Sequence, residues 1–228
     1  MLKKILFAWL FGMFANFALS GQSAVVSYMT TYNLPQKMKN ISLEGVKKMN
    51  AFSRPRAYYY DEGKSVYRWL KIKDTTIYVD GSPYKASQSR RPVFYKDFEK
   101  KEMLIVDVEN DSLSAASIDM DSFLSWKIQR ENKMILGHLC RKATLELNGK
   151  NIEAWFATDI DIMDGPEIYF GLPGLILEIR QGITVTKAVK IEFRKPSKRK
   201  MEMPFFDKKI TYSEYLKRRK MFGRMTPK

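Results

Sequence analysis

Short runs of alternating apolar and polar residues, rich in tyrosine, valine, isoleucine and phenylalanine, fill most of the chain. Each run is about five to ten residues long and ends at glycine, proline, aspartate or asparagine. Because side chains alternate between the two faces of a strand, such runs predict half-buried β-strands, the first over residues 24–34. No long helical pattern separates them, which favours antiparallel pairing. The sequence therefore predicts a mainly β fold with a single large antiparallel sheet, curled into a half-barrel or a sandwich.

The turns and the C-terminus fit this architecture. Asn148-Gly149 and Gln181-Gly182 lie between strand-like runs, where a glycine with positive φ can close a hairpin. Near the end of the chain, Thr211 precedes Glu214 by three residues, a spacing typical of a helix N-terminus. We therefore expect a β domain over residues 21–204, followed by a basic C-terminal helix or tail over residues 205–228.

The first twenty residues have the layout of a secretory signal peptide. Lys3 and Lys4 precede an uncharged apolar stretch from Ile5 to Leu19, and small residues follow it. Cleavage is expected after Ser20, which would leave an exported protein, periplasmic or secreted. A retained membrane anchor is the alternative, but the apolar stretch is shorter than the roughly 20 residues that a span needs. We expect no transmembrane span after cleavage.

The chain is strongly basic and nearly free of cysteine. Its formal net charge is +15, which attracts anionic partners, and its only cysteine is Cys140. An exported protein with one cysteine cannot form an intramolecular disulfide, so its core must stabilise it alone. For such a protein an anionic lipid surface is a more accessible partner than nucleic acid, and no nucleic-acid-binding motif is present. A basic surface that only keeps the protein soluble is the alternative.

The run from residue 165 to 179, GPEIYFGLPGLILEI, contains a turn inside an apolar stretch. Pro173 fixes φ near −65° and Gly174 tolerates positive φ, which suits the central positions of a type II turn. The run predicts a turn buried against the sheet that leads into a central strand, with a ligand-lining loop as the alternative. The motif residues are Gly165, Pro166, Gly171, Leu172, Pro173, Gly174, Leu175 and Ile176.

This motif resembles the signature of the GLPGLI family, secreted bacterial proteins found mostly in Bacteroidetes. The similarity extends over residues 126–179, with Cys140, Ala154-Trp155, Gly165-Pro166 and the hexapeptide in the same order. Two positions depart from the family pattern, namely His138 and Asp161. The resemblance implies a secreted β domain of uncharacterised function and supplies no catalytic residues.

The candidate metal ligands form two weak groups. Asp159, Asp161 and Glu167 precede the Gly-Leu-Pro-Gly turn, but their spacing does not match a calcium-binding loop. A solvated, turn-initiating role is the alternative, as for Asp164 in the same set, which precedes Gly165-Pro166. His138 and Cys140 are two residues apart, so on a strand they would point to the same side and offer a nitrogen and a sulfur. Two ligands are too few for a structural zinc site, and a single cysteine in a β core is usually a small buried hydrophobic residue.

No assembled catalytic set is recognisable in the sequence, and no cofactor motif is present. We therefore expect a non-enzymatic binding or envelope-associated protein, without a cofactor, that could carry a hydrophobic ligand or contact an envelope protein. The alternative is a metal-dependent or thiol enzyme that uses Asp159, Asp161 and Glu167, or Cys140.

Overall fold

A computed structural model describes residues 22–72, 76–85, 92–109, 112–121 and 123–225. In chain order the elements are β1 Ala24–Tyr32, α1 Leu43–Ala51, β2 Arg54–Asp61, β3 Lys64–Trp69, β4 Thr76–Val79, β5 Ser82–Lys85, β6 Val93–Asp97, β7 Glu102–Glu109, β8 Ser112–Asp119, β9 Lys127–Ile135, β10 His138–Leu147, β11 Lys150–Ala157, β12 Leu175–Gln181, β13 Thr184–Glu192, α2 Lys198–Met201, β14 Lys208–Thr211 and α3 Tyr212–Met225.

Twelve strands form one sheet, in the order β14-β8-β7-β6-β3-β2-β1-β13-β12-β11-β10-β9, and β4 pairs separately with β5. The outermost strands β14 and β9 do not pair with each other, so the sheet is open. The mainly β prediction with a short C-terminal helix is confirmed. One pairing differs from it, because β14 runs parallel to β8 and makes the sheet mixed.

The predicted hairpin turns are present. Asn148 and Gly149 both have positive φ, 53° and 71°, and join β10 to β11. Gly182, at φ 57°, joins β12 to β13. The Thr211 hydroxyl accepts a hydrogen bond from the Glu214 amide at 3.2 Å, so it caps α3 as its spacing predicts.

One face of the sheet, here called the inner face, carries a row of aromatic side chains. Tyr58 lies opposite Tyr67 in the strand register, and Tyr67 lies opposite Phe94. Tyr28 contacts Tyr58 edge to face, with ring centroids 6.2 Å apart, and Tyr67 contacts Phe94 in the same way at 5.9 Å. Because strand side chains alternate, Arg56 and Lys96 lie on this face as well.

Two segments cover the inner face. The first is residues 158–174, here called the covering loop, which joins β11 to β12 and buries Ile160, Ile162 and Phe170 in the core. The second is the start of α3, whose Tyr215 belongs to the same cluster. On the opposite face a smaller cluster of Val25, Ala57, Tyr59 and Val66 packs against Met201 of α2.

The predicted signal peptide, residues 1–20, lies outside the described residues. Among the described ones, no helix is long and apolar enough to cross a lipid bilayer.

Candidate functional site

A buried ion pair attaches the covering loop to the sheet. Lys96 of β6 places its Nζ 2.5 Å from the Asp164 Oδ1, and the two side chains are 1% and 0% exposed. The same Nζ donates to the carbonyl oxygens of Gly165 at 2.9 Å and Tyr169 at 3.2 Å. Burial lowers the pKa of Lys96, and the Asp164 carboxylate opposes that shift. All three ammonium protons thus have acceptors in the loop.

The Asp164 carboxylate is also fully hydrogen-bonded. Tyr58 donates its hydroxyl to Oδ2 at 2.9 Å, and the Gly165 amide donates to Oδ1 at 2.7 Å. The expectation of a solvated, turn-initiating aspartate before the motif is therefore wrong for Asp164. This residue is a buried anchor instead, because Lys96, Tyr58 and the loop backbone replace its water ligands.

The motif turn lies against the neighbouring strand. Gly174 donates its amide to the Leu172 carbonyl at 2.8 Å across Pro173, which is the pattern of a three-residue γ-turn and not of the predicted type II turn. Gly174 has φ 145°, and a Cβ built on it would lie 2.0 Å from the Ala157 carbonyl oxygen. Only glycine fits at this close approach of two backbones. The buried-turn interpretation explains the motif: its last residues, Leu175 and Ile176, are 0% exposed at the start of β12.

A second group of polar residues, here called the polar cluster, contains Arg56, Tyr67 and Trp69, together with Glu167, whose carboxyl acts electrostatically on Arg56 and Tyr67. Glu167 follows Pro166 in the covering loop in the left-handed region, at φ 55°, which a non-glycine residue rarely adopts. Its side chain is half-buried and makes no hydrogen bond or ion pair within the described part of the chain. Burial raises the pKa of Glu167, against the opposing charges of Arg56, Arg219 and Lys96.

The rest of the polar cluster comes from β2 and β3. Arg56 is 1% exposed, and its guanidinium carbon lies 4.0 Å from the centre of the Trp69 ring. Buried polar atoms of Arg56, Tyr67 and Trp69 have no hydrogen-bond partner among the described residues: the Arg56 Nε, the Tyr67 hydroxyl and the Trp69 Nε1. Because native proteins rarely leave such atoms unpaired, the polar cluster is the candidate ligand site of this chain.

Two of the candidate ligands, His138 and Asp159, are in contact. The His138 Nδ1 lies 2.8 Å from the Asp159 Oδ2, and the His138 ring contacts Phe193. Cys140, in contrast, is fully buried and donates its thiol to the His138 carbonyl oxygen at 3.6 Å. Burial raises the pKa of Cys140 to about 11, which keeps the thiol protonated at neutral pH and makes it a poor nucleophile.

The predicted acidic set is dispersed. Asp161 is exposed, whereas Glu167 lies in the polar cluster. In the ranges that the structure describes, no three histidine, cysteine, aspartate or glutamate side chains are close enough together to hold a metal ion. The acidic residues before the motif therefore serve different purposes, and they are not assembled around one point.

Sequence reasoning missed Lys96, Tyr58 and Arg56 as site residues. A signal was present, because Lys96 follows Phe94 by two residues and Arg56 precedes Tyr58 by two in alternating runs. Each charged residue therefore occupies a position that the alternation assigns to the apolar face. A charge at such a position indicates a buried partner.

We expect Lys96→Met to destabilise the protein by about 3–5 kcal/mol, because it leaves the Asp164 charge buried without a cation. Lys101→Met is the matched control, since Lys101 pairs with Asp121 at a site where both side chains are more than half exposed. Lys101→Met should lower the unfolding free energy by less than about 1 kcal/mol. Denaturant unfolding measures both variants, and equal midpoints would contradict the anchoring role. Lys96→Met combined with Asp164→Asn should recover part of the loss.

Glu167→Gln should change the pH dependence of stability in a defined direction. The folded state raises the pKa of Glu167, so folded protein holds this proton longer than unfolded protein does. At low pH the native protein should therefore have its full stability relative to Glu167→Gln. This difference in unfolding free energy should fall as the pH rises from the ordinary carboxyl pKa to the raised pKa of the folded state.

Glu178 supplies a control of opposite sign. It is buried, but hydrogen bonds from Lys133 and Arg180 outweigh burial and lower its pKa. Above the ordinary carboxyl pKa, the native protein should have a higher unfolding free energy than Glu178→Gln. This difference should disappear as the pH falls through the lowered pKa of the folded state. Unfolding curves at several pH values measure both differences, and slopes of the same sign would refute the assignment for Glu167.

Comparison with known proteins identifies the family. The family model described as "N-glycanase peptide, N-terminal domain" matches residues 94–216, more than half of the 228 residues. This range includes Lys96, the covering loop and the motif. No curated protein matches the sequence.

Two solved structures share the fold. The structure of PNGF-II in a P21 crystal has a TM-score of 0.59 at 15% identity, over 86% of this chain and 33% of that one. Its C2 crystal form gives a TM-score of 0.57 at 15% identity, over 86% and 32%. This chain thus spans about a third of the length of PNGF-II.

Two expectations from the sequence are corrected by these matches. The resemblance to the GLPGLI family is wrong, because the family model that matches the motif and its surroundings is the N-glycanase one. The expectation of a non-enzymatic binding or envelope-associated protein carrying a hydrophobic ligand is wrong for the same reason. With residues 94–216 matched by its model, the chain belongs to the family of N-glycanase N-terminal domains.

Proposed function

We propose that this protein takes part in the removal of N-linked glycans from glycoproteins, and that it engages the glycosylated polypeptide. The observation that carries the proposal is the family match over residues 94–216. The fold similarity to PNGF-II supports it with a second, independent comparison, although this chain corresponds to only a third of that protein.

The polar cluster supports the same function at the level of chemistry. A glycan presents many hydroxyl and carbonyl oxygens, which need hydrogen-bond donors, together with hydroxyl protons, which need an acceptor. Arg56, Tyr67 and Trp69 offer donors that have no acceptor in the described part of the chain, and Glu167 offers a carboxyl. Trp69 also supplies an aromatic surface. This combination of donors, one carboxyl group and an aromatic ring suits a sugar better than an apolar ligand.

A glycopeptide carrying one neutral N-linked glycan tests the proposal. The full chain should bind it at least about tenfold more tightly than the same peptide with a bare asparagine, a difference of about 1.4 kcal/mol. Calorimetry measures the two affinities. Mass spectrometry of the same samples follows whether the glycan is released. Equal affinities without release would refute the proposal.

A pair of glutamate variants locates the interaction. Glu167→Gln should weaken glycopeptide binding, because the amide has one acceptor oxygen at the polar cluster where the carboxyl has two. Glu131→Gln is the matched control, since Glu131 is exposed on β9 and pairs with Lys142. If both variants bind as the native protein does, the polar cluster is not the site of engagement.

We also propose that the protein is exported by its first twenty residues, on the strength of the two lysines and the apolar stretch that follows them. Export would bring the protein to glycoproteins outside the cytoplasm. N-terminal sequencing of the protein recovered from its own host should begin at or near Gly21. A chain that begins at Met1 would contradict export with cleavage.

A further inference from the structure

Arg56 carries a positive charge that the described residues balance only partly. Its side chain is 1% exposed, yet it makes no ion pair within the described part of the chain. One guanidinium nitrogen, Nη1, donates to the Pro55 carbonyl at 3.0 Å, and Nε has no partner. Burial lowers the pKa of Arg56 despite its electrostatic neighbours. A buried cation without an anion is costly, so this position calls for an anionic partner.

Two further donors stand beside the guanidinium. Trp69 lies opposite Arg56 in the strand register and stacks against it, and its indole Nε1 is buried without an acceptor. The Tyr67 hydroxyl is next to Thr30, whose own hydroxyl is bonded to Thr186 at 2.9 Å, and it makes no hydrogen bond of normal geometry. One buried region thus contains the Arg56 Nε, an indole N–H and a phenol O–H, none of which has an acceptor among the described residues.

The charges around Arg56 favour the binding of one anion. The groups that act on Arg56 are Tyr67, Glu167, Arg54 and Tyr32, of which Glu167 is the one carboxyl. Burial already favours the protonated form of Glu167, and the Arg219 guanidinium also acts on it. An incoming anion would therefore meet the Arg56 guanidinium, and the neighbouring Glu167 carboxyl is disposed to hold its proton.

We propose that Arg56, Tyr67 and Trp69 form a binding site for a carboxylate. The free guanidinium edge of Arg56 would hold both carboxylate oxygens, the two-pronged geometry for which arginine is suited. Tyr67 and Trp69 would donate to the remaining lone pairs. This inference rests on the proposed function in one respect, since an acidic sugar of an N-linked glycan is the class of ligand that carries such a group.

Trp69 is the most exposed of the three residues. It ends β3 and is half-buried, whereas Arg56 and Tyr67 are each 1% exposed. The ring of an acidic sugar would therefore lie near Trp69 while its carboxylate reaches the guanidinium. An acidic sugar offers both the anion and the apolar ring face that such an arrangement accommodates.

N-acetylneuraminic acid and its methyl ester are the probes that test this site. Calorimetry with the full chain should give saturable binding of the acid and at least about tenfold weaker binding of the ester, which keeps the sugar and loses the charge. Sodium sulfate is a third arm. Sulfate that binds as tightly as the acid would overturn the carboxylate assignment, and so would equal binding of acid and ester or no saturable binding of the acid.

Tyr67→Phe separates binding from folding. The Tyr67 hydroxyl has no hydrogen-bond partner among the described residues, so its removal should leave the unfolding midpoint unchanged and weaken binding of the acid about tenfold. Tyr78→Phe is the matched control, because Tyr78 is 61% exposed on β4. Unchanged affinity in Tyr67→Phe would refute the proposal. The neutral glycopeptide carries no carboxylate sugar, so failure here leaves the glycan-removal proposal intact.

Discussion

The ion pair between Lys96 and Asp164 determines where the covering loop lies. Neither residue is near the other in sequence, since 68 positions separate them. Removing two charges from water costs several kcal/mol for each ion, and the pair offsets this cost through its short contact and the hydrogen bonds that Tyr58 and the loop backbone add. The ion pair therefore fixes the position of the covering loop more than it adds to the net stability of the fold. A loop held at this one point cannot slide along the sheet, because any shift would leave a bare charge in the core.

That fixed position explains the composition of the motif. Once Asp164 is anchored, the following chain must turn back and enter β12 directly beneath the loop. Gly165 packs so closely that a Cβ would lie 2.6 Å from Ile176, and Gly174 crosses the backbone of Ala157. Tyr28 of β1 also holds the start of β12, since it donates its hydroxyl to the Ile176 carbonyl at 2.6 Å. The glycines and the proline thus follow from the anchor and from the tight packing of the loop against the sheet.

The sheet could be predicted from the sequence, whereas the site could not. Alternation and turn residues are local signals, and they predicted the mainly β fold, the first strand, the Asn148-Gly149 hairpin and the Thr211 cap. The parallel pairing of β14 with β8 depends on contacts between distant segments, which local patterns do not encode. The same holds for Arg56 and Glu167, since Glu167 acts electrostatically on Arg56 only through the position of the covering loop. The family predicted from the sequence was also wrong. The hexapeptide indicates a tight buried turn, and the same turn geometry can occur in more than one family.

The order of the strands also determines how the sheet avoids joining other copies of itself. An open sheet has two edges, and each presents unpaired backbone groups that can recruit another strand. At one edge the short strand β14 covers β8 and leads at once into α3, so little backbone is left to pair. The other edge is the nine-residue strand β9, and it carries a dense row of charged side chains, namely Lys127, Arg130, Glu131 and Lys133. Charge on this strand discourages edge-to-edge association, so part of the excess of lysine and arginine in this chain protects the exposed edge of a long open sheet.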